Sequence, residues 1–194
     1  MSTDRFVAQL ADAIKAKSIW PEFPYGVTLT EAYSLIPHLT GLISGEQSAG
    51  IKAGVTNTDL QALFGLEEPL LGLLYQQSEI ENAATLPHTA SRRIECELAM
   101  QLNSDGSPSR IGPAGEVVRL DFCRPEDLTP GNVTLCNLGA DQFILGEMSA
   151  WDSFDFTALA DIDIELMRDG EVILTTSPLD SFGGPKPALN WCVD

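Results

Sequence analysis

A chain of 194 residues is long enough for one domain with its own core, and 44% hydrophobic with 20% charged residues is the composition of a globular protein. With 28 acidic residues against 11 basic ones, the formal charge of -17 opposes any surface that tracks phosphates or anionic lipid, so nucleic acid and membrane are excluded as partners. Apolar stretches such as Leu70 to Tyr75 are far too short to span a bilayer.

The start, Met1 to Leu10, has neither the basic opening nor the continuous apolar stretch of a signal peptide, which sets the expectation of a cytoplasmic chain with reduced cysteines. Cys96, Cys123, Cys136 and Cys192 form no C-x-x-C pair, and His38 and His88 have no histidine neighbour at ligand spacing. A thiolate metal site, a zinc site and a catalytic triad therefore have no pattern behind them.

From Thr3 to Lys17, Phe6, Val7, Leu10, Ala11 and Ile14 recur at three- and four-residue steps, which predicts an amphipathic helix ended by Pro21 and Pro24. A second helix is expected over Thr30 to Ile43, opened by a threonine and glutamate start and interrupted by Pro37 and Gly41. Ala49 to Thr56 reads as a short strand, and Asn57, Thr58 and Asp59 as the cap of a helix over Leu60 to Phe64. Gly65, Pro69 and Gly72 are expected in loops.

Between Arg93 and Leu102 the chain alternates, with Ile94, Cys96, Leu98 and Met100 on one face and Glu95, Glu97 and Ala99 on the other, as in a half-buried strand. Asn103 to Ala114 is turn-rich around Asp105-Gly106, and Glu116 to Cys123 reads as the next strand. Ile162, Ile164 and Leu166 alternate with Asp163 and Glu165, and Asp169-Gly170 joins that run to Val172–Leu174 as a hairpin. Gly183 to Pro187 is expected to be a loop. The class is α+β, with an N-terminal helical region over 1–48 followed by a β-rich unit over 49–194 whose sheet is largely antiparallel or mixed.

Glu95 and Glu97 project from the same side of one strand with roots about 7 Å apart, so they are either the solvent face of an edge strand or part of a divalent metal site. Oxygen ligands without histidine or cysteine favour a hard ion, Mg²⁺ or Mn²⁺, and require a third carboxylate. Asp121, between Leu120 and Phe122 on the following expected strand, is the candidate.

These segments, taken in order, resemble the 2-keto-4-pentenoate hydratase and 4-oxalocrotonate decarboxylase branch of the fumarylacetoacetate hydrolase superfamily. The similar stretches are TLTEAYSL over Thr28–Leu35, GIKAGVT over Gly50–Thr56, Gly72-Leu73-Leu74, IECELAMQL over Ile94–Leu102 and NLGADQFILG over Asn137–Gly146. The resemblance implies a mixed β-sheet roll of the fumarylacetoacetate hydrolase type, incomplete at its C-terminal end because that family's last strands have no counterpart here. It implies that Glu95, Glu97 and Asp121 hold Mg²⁺ or Mn²⁺, that Lys52 is catalytic beside the metal-bound substrate, and that Leu73 and Asn137 bind substrate. The activity implied is hydration or decarboxylation of a small 2-oxo or 2-hydroxydienoate acid in aromatic catabolism. The alternative is a non-catalytic keto-acid-binding protein or a partner subunit of a longer relative. Either form is expected to associate, as a homo-oligomer or with a related subunit.

Overall fold

A computed structural model describes residues 2–45 and 48–193. Helix α1 (Thr3–Lys15) buries Phe6, Val7, Leu10 and Ala11, the stripe expected from their spacing. It ends before the prolines, because Lys17 turns left-handed (φ 52°) and its N–H bonds back to Ile14 O at 3.1 Å. Helix α2 (Leu29–Ser44) is opened by a capping box. The Thr28 hydroxyl accepts from Glu31 N–H at 3.2 Å while the Glu31 carboxylate accepts from Thr28 N–H at 2.9 Å. The expected interruption at Pro37 does not occur: α2 runs through it to Gly45, whose left-handed φ of 64° closes the helix. Burial of Ala32, Ile36 and Leu39 outweighs the single hydrogen bond that Pro37 cannot donate.

The core under these helices draws in residues from far along the chain. Phe6, Val7, Leu10, Trp20, Phe23 and Leu39 pack with Leu135 and Cys136, and Trp20 meets Phe122 edge to face at 4.9 Å. Leu135 belongs to α4 (Pro130–Leu135), a helix the sequence reading did not anticipate, capped by the Thr129 hydroxyl and started by Pro130. Gly131 lets α4 touch the loop before α2, since a Cβ there would stand 1.8 Å from Val27 O.

Strand β1 (Ser48–Gly54) pairs antiparallel with β2 (Leu70–Tyr75), with α3 (Thr58–Phe64) between them, capped by the Asn57 side chain. Gly72, expected in a loop, lies inside β2 opposite Lys52. The larger sheet has β4 (Pro108–Arg119) paired to β3 (Arg92–Leu102) on one side and β5 (Ala140–Leu145) on the other, with β6 (Ser149–Ala150) pairing β4 near its start. β4 begins at Pro108 rather than Glu116 and ends at Arg119, which leaves Asp121 beyond the strand. The hairpin of β7 (Ile164–Arg168) and β8 (Glu171–Thr176) turns at Asp169 (φ 53°) and Gly170 (φ 84°), as its Asp-Gly pair predicts. The expected loop at Pro185 is instead α5 (Pro185–Val193), which begins on a proline. All named strand pairs are antiparallel, so among the described residues the sheets are not mixed. The one isolated parallel bridge joins Glu79 to Phe143.

Along β3 burial does not follow the alternation: Ile94 is 60% exposed and Glu95 is exposed too, while Cys96, Glu97, Leu98, Ala99 and Met100 are all half-buried. The strand is covered along its middle rather than on one face alone.

Candidate metal centre

The register of β3 against β4 sets Glu95 directly opposite Glu116 and Glu97 opposite Ala114. Period two then brings Glu95, Glu97 and Glu116 to one face of the sheet. One carboxylate oxygen from each lies within 4.8 Å of the others, the first residue exposed, the second half-buried and the third buried. Like charges placed opposite one another across a ladder repel, so the arrangement calls for a counter-charge. Lys52, projecting from β1, supplies one: its Nζ donates to Glu116 Oε1 at 2.5 Å, and both side chains are more than nine-tenths buried.

A single ammonium does not balance three carboxylates. Burial first, then the charges of Glu95 and Glu116, push the Glu97 carboxyl up from its ordinary 4.5 to about 7, with Lys52 pulling in the opposite direction. Glu116 is raised too, because the cost of desolvation outweighs its bond to Lys52. With Lys52 counted, the ionised cluster carries two uncompensated negative charges, the complement of a divalent cation. Three carboxylates without nitrogen or sulfur donors suit a hard ion such as Mg²⁺, Mn²⁺ or Ca²⁺. The residues present therefore fit such a metal.

Asp121 is not brought to this cluster. Its carboxylate is bonded to Arg119 and to the Ser91 hydroxyl, and its carbonyl accepts from Trp20 N–H at 2.8 Å. Because β4 ends at Arg119, whose side chain leaves the strand opposite to that of Glu116, the Arg119–Asp121 pair stands apart from the glutamates. Glu116 takes the place in the trio that the sequence reading assigned to Asp121. The signal was available: counting back from the Asp105-Gly106 turn along both strands puts Glu116 across from Glu95, which requires seeing that the strand starts at Pro108.

Lys52 lies where the sequence reading put it, beside the carboxylates. Leu73 and Asn137 are together but have their polar groups engaged with each other. Leu73 N–H donates to Asn137 Oδ1 at 2.6 Å and Asn137 Nδ2 donates to Leu73 O at 2.8 Å.

No family model matches the chain. It is 24% identical to a 2-keto-4-pentenoate hydratase of Burkholderia vietnamiensis, over all of this chain and 82% of that one. It is also 24% identical to 2-keto-4-pentenoate hydratase 2 of Dechloromonas aromatica, over 79% of this chain and 63% of that one, just under two thirds of that relative's length. Among solved structures, 4-oxalocrotonate decarboxylase from Pseudomonas putida G7 superposes with a TM-score of 0.75 in its complex with magnesium and adipate, at 20% identity. Its complex with calcium and acetate gives a TM-score of 0.71 at 19% identity. Each covers this whole chain and is itself covered over 82% of its length. The chain has the fold of 4-oxalocrotonate decarboxylase, and the resemblance read in its sequence to the 2-keto-4-pentenoate hydratases and 4-oxalocrotonate decarboxylases is borne out.

Proposed function

We propose that the chain is a divalent-metal-dependent lyase, a hydratase or decarboxylase, acting on a small 2-oxo or 2-hydroxydienoate acid in the breakdown of aromatic compounds. We further propose that its sheets form a roll of the fumarylacetoacetate hydrolase type. The observation that carries this reading is the trio Glu95, Glu97 and Glu116 beside Lys52, with two negative charges left over. The names of the relatives and the magnesium and calcium in the solved decarboxylase complexes support it.

Glu95, Glu97 and Glu116 would hold Mg²⁺ or Mn²⁺. The bound cation supplies a Lewis acid and a template for the carboxylate and 2-oxo oxygens of a keto acid, where enolate charge develops. The chain's own residues do the rest. Glu97 gives up its proton on loading, so the site is assembled most fully above about pH 7. Glu116 is shared between the cluster and Lys52 and anchors the lysine at its edge. Lys52 Nζ holds a proton there that can pair with a substrate carboxylate or pass to the dienol carbon. Burial of Lys52 and Glu116 keeps water from screening these charges.

The test is turnover. Purified protein is offered 2-keto-4-pentenoate, with water addition followed, and 4-oxalocrotonate, with CO₂ release followed, each with Mg²⁺, with Mn²⁺ and with chelator. Metal-dependent turnover that Glu97→Gln abolishes in a folded protein is the expected result. Binding of keto acids without turnover of either would contradict the enzyme reading in favour of a keto-acid-binding member.

A further inference from the structure

The two halves of the proposed site lie on different sheets. Lys52 is on the β1–β2 ladder and the glutamates are on β3 and β4. The segment joining α4 to β5, Asn137-Leu138-Gly139, touches both sheets, and its three residues are left-handed in succession, with φ of 54°, 55° and 73°. Two of them are not glycine, and leucine in particular is disfavoured in this region, so the surrounding structure must hold the segment in place.

Contacts on both sides do so. Asn137, 2% exposed, spends its amide oxygen and nitrogen on the N–H and C=O of Leu73, occupying the edge of β2 that faces away from β1. Leu138 fills a slot left by two glycines: a Cβ on Gly54 would stand 2.7 Å from Leu138 Cδ1, and one on Gly72 would stand 3.2 Å from it. The same Cβ on Gly72 would lie 3.1 Å from Lys52 Cγ and 3.2 Å from Asn137 Oδ1, so the stem of the lysine and the asparagine amide flank a single glycine. Gly139 then packs on the larger sheet, where a Cβ would meet Arg119 O at 2.6 Å. The run is thus keyed into β1 and β2 at one end and into β4 at the other.

We propose that Asn137 is a positioning residue: by clamping the Leu73 backbone it fixes β2, and through the Gly72–Lys52 pairing it sets the Lys52 ammonium against Glu116. This deepens the proposed lyase reading and rests on it only for the purpose Lys52 serves. Among the described residues, the Asn137 side chain bonds to Leu73 and to none of the carboxylates. Its effect travels through backbone, so removing it should release Lys52 without unfolding the chain.

The experiment compares metal-free wild type with Asn137→Gly, Asn137→Asp and Leu39→Ala by ¹⁵N NMR of lysine side chains, the Lys52 Nζ signal being assigned by its loss in Lys52→Met. Glycine accepts the left-handed backbone, so Asn137→Gly removes the amide without adding strain. Aspartate keeps the acceptor for Leu73 N–H and loses the donor to Leu73 O. Leu39→Ala weakens the core under α1 and α2, a cluster that contains no residue of β1 or β2, and so reports what loss of stability alone does. The expected result is Lys52 ammonium exchange faster by about tenfold or more in Asn137→Gly, the factor a lost buried hydrogen bond commands. Exchange should be intermediate in Asn137→Asp and as in wild type in Leu39→Ala. A Lys52 signal unchanged in Asn137→Gly, or moved as far by Leu39→Ala, overturns the proposal. Should Asn137→Gly fail to fold, Asn137→Asp decides by the same criterion. Mn²⁺ titration of the wild type is run separately. Its failure would count against the metal reading, while the lysine signal, read without metal, would still decide the role of Asn137.

Discussion

The raised Glu97 carboxyl predicts an unusual outcome: neutralising a glutamate that serves the site should stabilise the metal-free protein. Its folded value of about 7 against an ordinary 4.5 means that the fold favours the protonated form. The stability contributed by that preference is fully present below about pH 4.5 and is lost as pH rises through about 7. A displacement of this size corresponds to about 3 kcal/mol once the group is ionised in both states. Glutamine has nearly the same shape and carries no charge to desolvate, so Glu97→Gln should match the wild type near pH 4.5 and exceed its stability by about 2 to 3 kcal/mol near pH 8. The assay is urea unfolding with chelator present, at several pH values across that window, on both proteins. Excess Mg²⁺ should close the gap, adding about 2.7 kcal/mol to the wild type at a hundredfold excess over Kd, and should reverse the order at a thousandfold, where it adds about 4.1 kcal/mol, with nothing added to the variant. Wild-type and variant stabilities that run parallel from pH 4.5 to 8 would refute the reasoning, because they would place Glu97 in a solvated, ordinary setting.

Metal affinity should rise by about tenfold per pH unit below pH 7 and level off above it, with close to one proton released per ion; calorimetry in two buffers of different ionisation enthalpy measures both. Gly72→Ala puts a methyl among Lys52 Cγ, Asn137 Oδ1 and Leu138 Cδ1. It should cost about 1 to 3 kcal/mol in thermal unfolding and weaken turnover further than that loss alone explains. Arg119→Met removes the partner of a nearly buried Asp121 and should cost about 3 to 5 kcal/mol, yet leave the Mn²⁺ affinity of the folded fraction unchanged.

Much of this molecule is legible in its sequence where one local rule decides. The stripe of α1, the Asn57 cap of α3 and the Asp-Gly turn between β7 and β8 each need only a few neighbouring residues. The reading fails where distant packing overrides a local signal. Pro37 stays helical because α2 is capped at both ends and buried on one face. Gly72 sits in a strand because Lys52, Asn137 and Leu138 crowd the space a side chain would take. For the site, Glu95, Glu97 and Lys52 follow from pattern and resemblance. Glu116 escapes a sequence reading because it depends on where β4 begins, and the two prolines and two glycines between Pro108 and Glu116 hide the strand. Asp121 was misplaced by the same error of register, since a strand drawn from Glu116 to Cys123 would have carried it onto the sheet.

The most direct test of a Glu95, Glu97 and Glu116 centre is Mn²⁺ binding by calorimetry on three proteins, the wild type, Glu116→Gln and Asp121→Asn, each first checked for a cooperative thermal transition. Binding by the wild type and Asp121→Asn, with loss in Glu116→Gln, is the predicted result. Binding that survives in Glu116→Gln, or that is absent from the wild type, would contradict it.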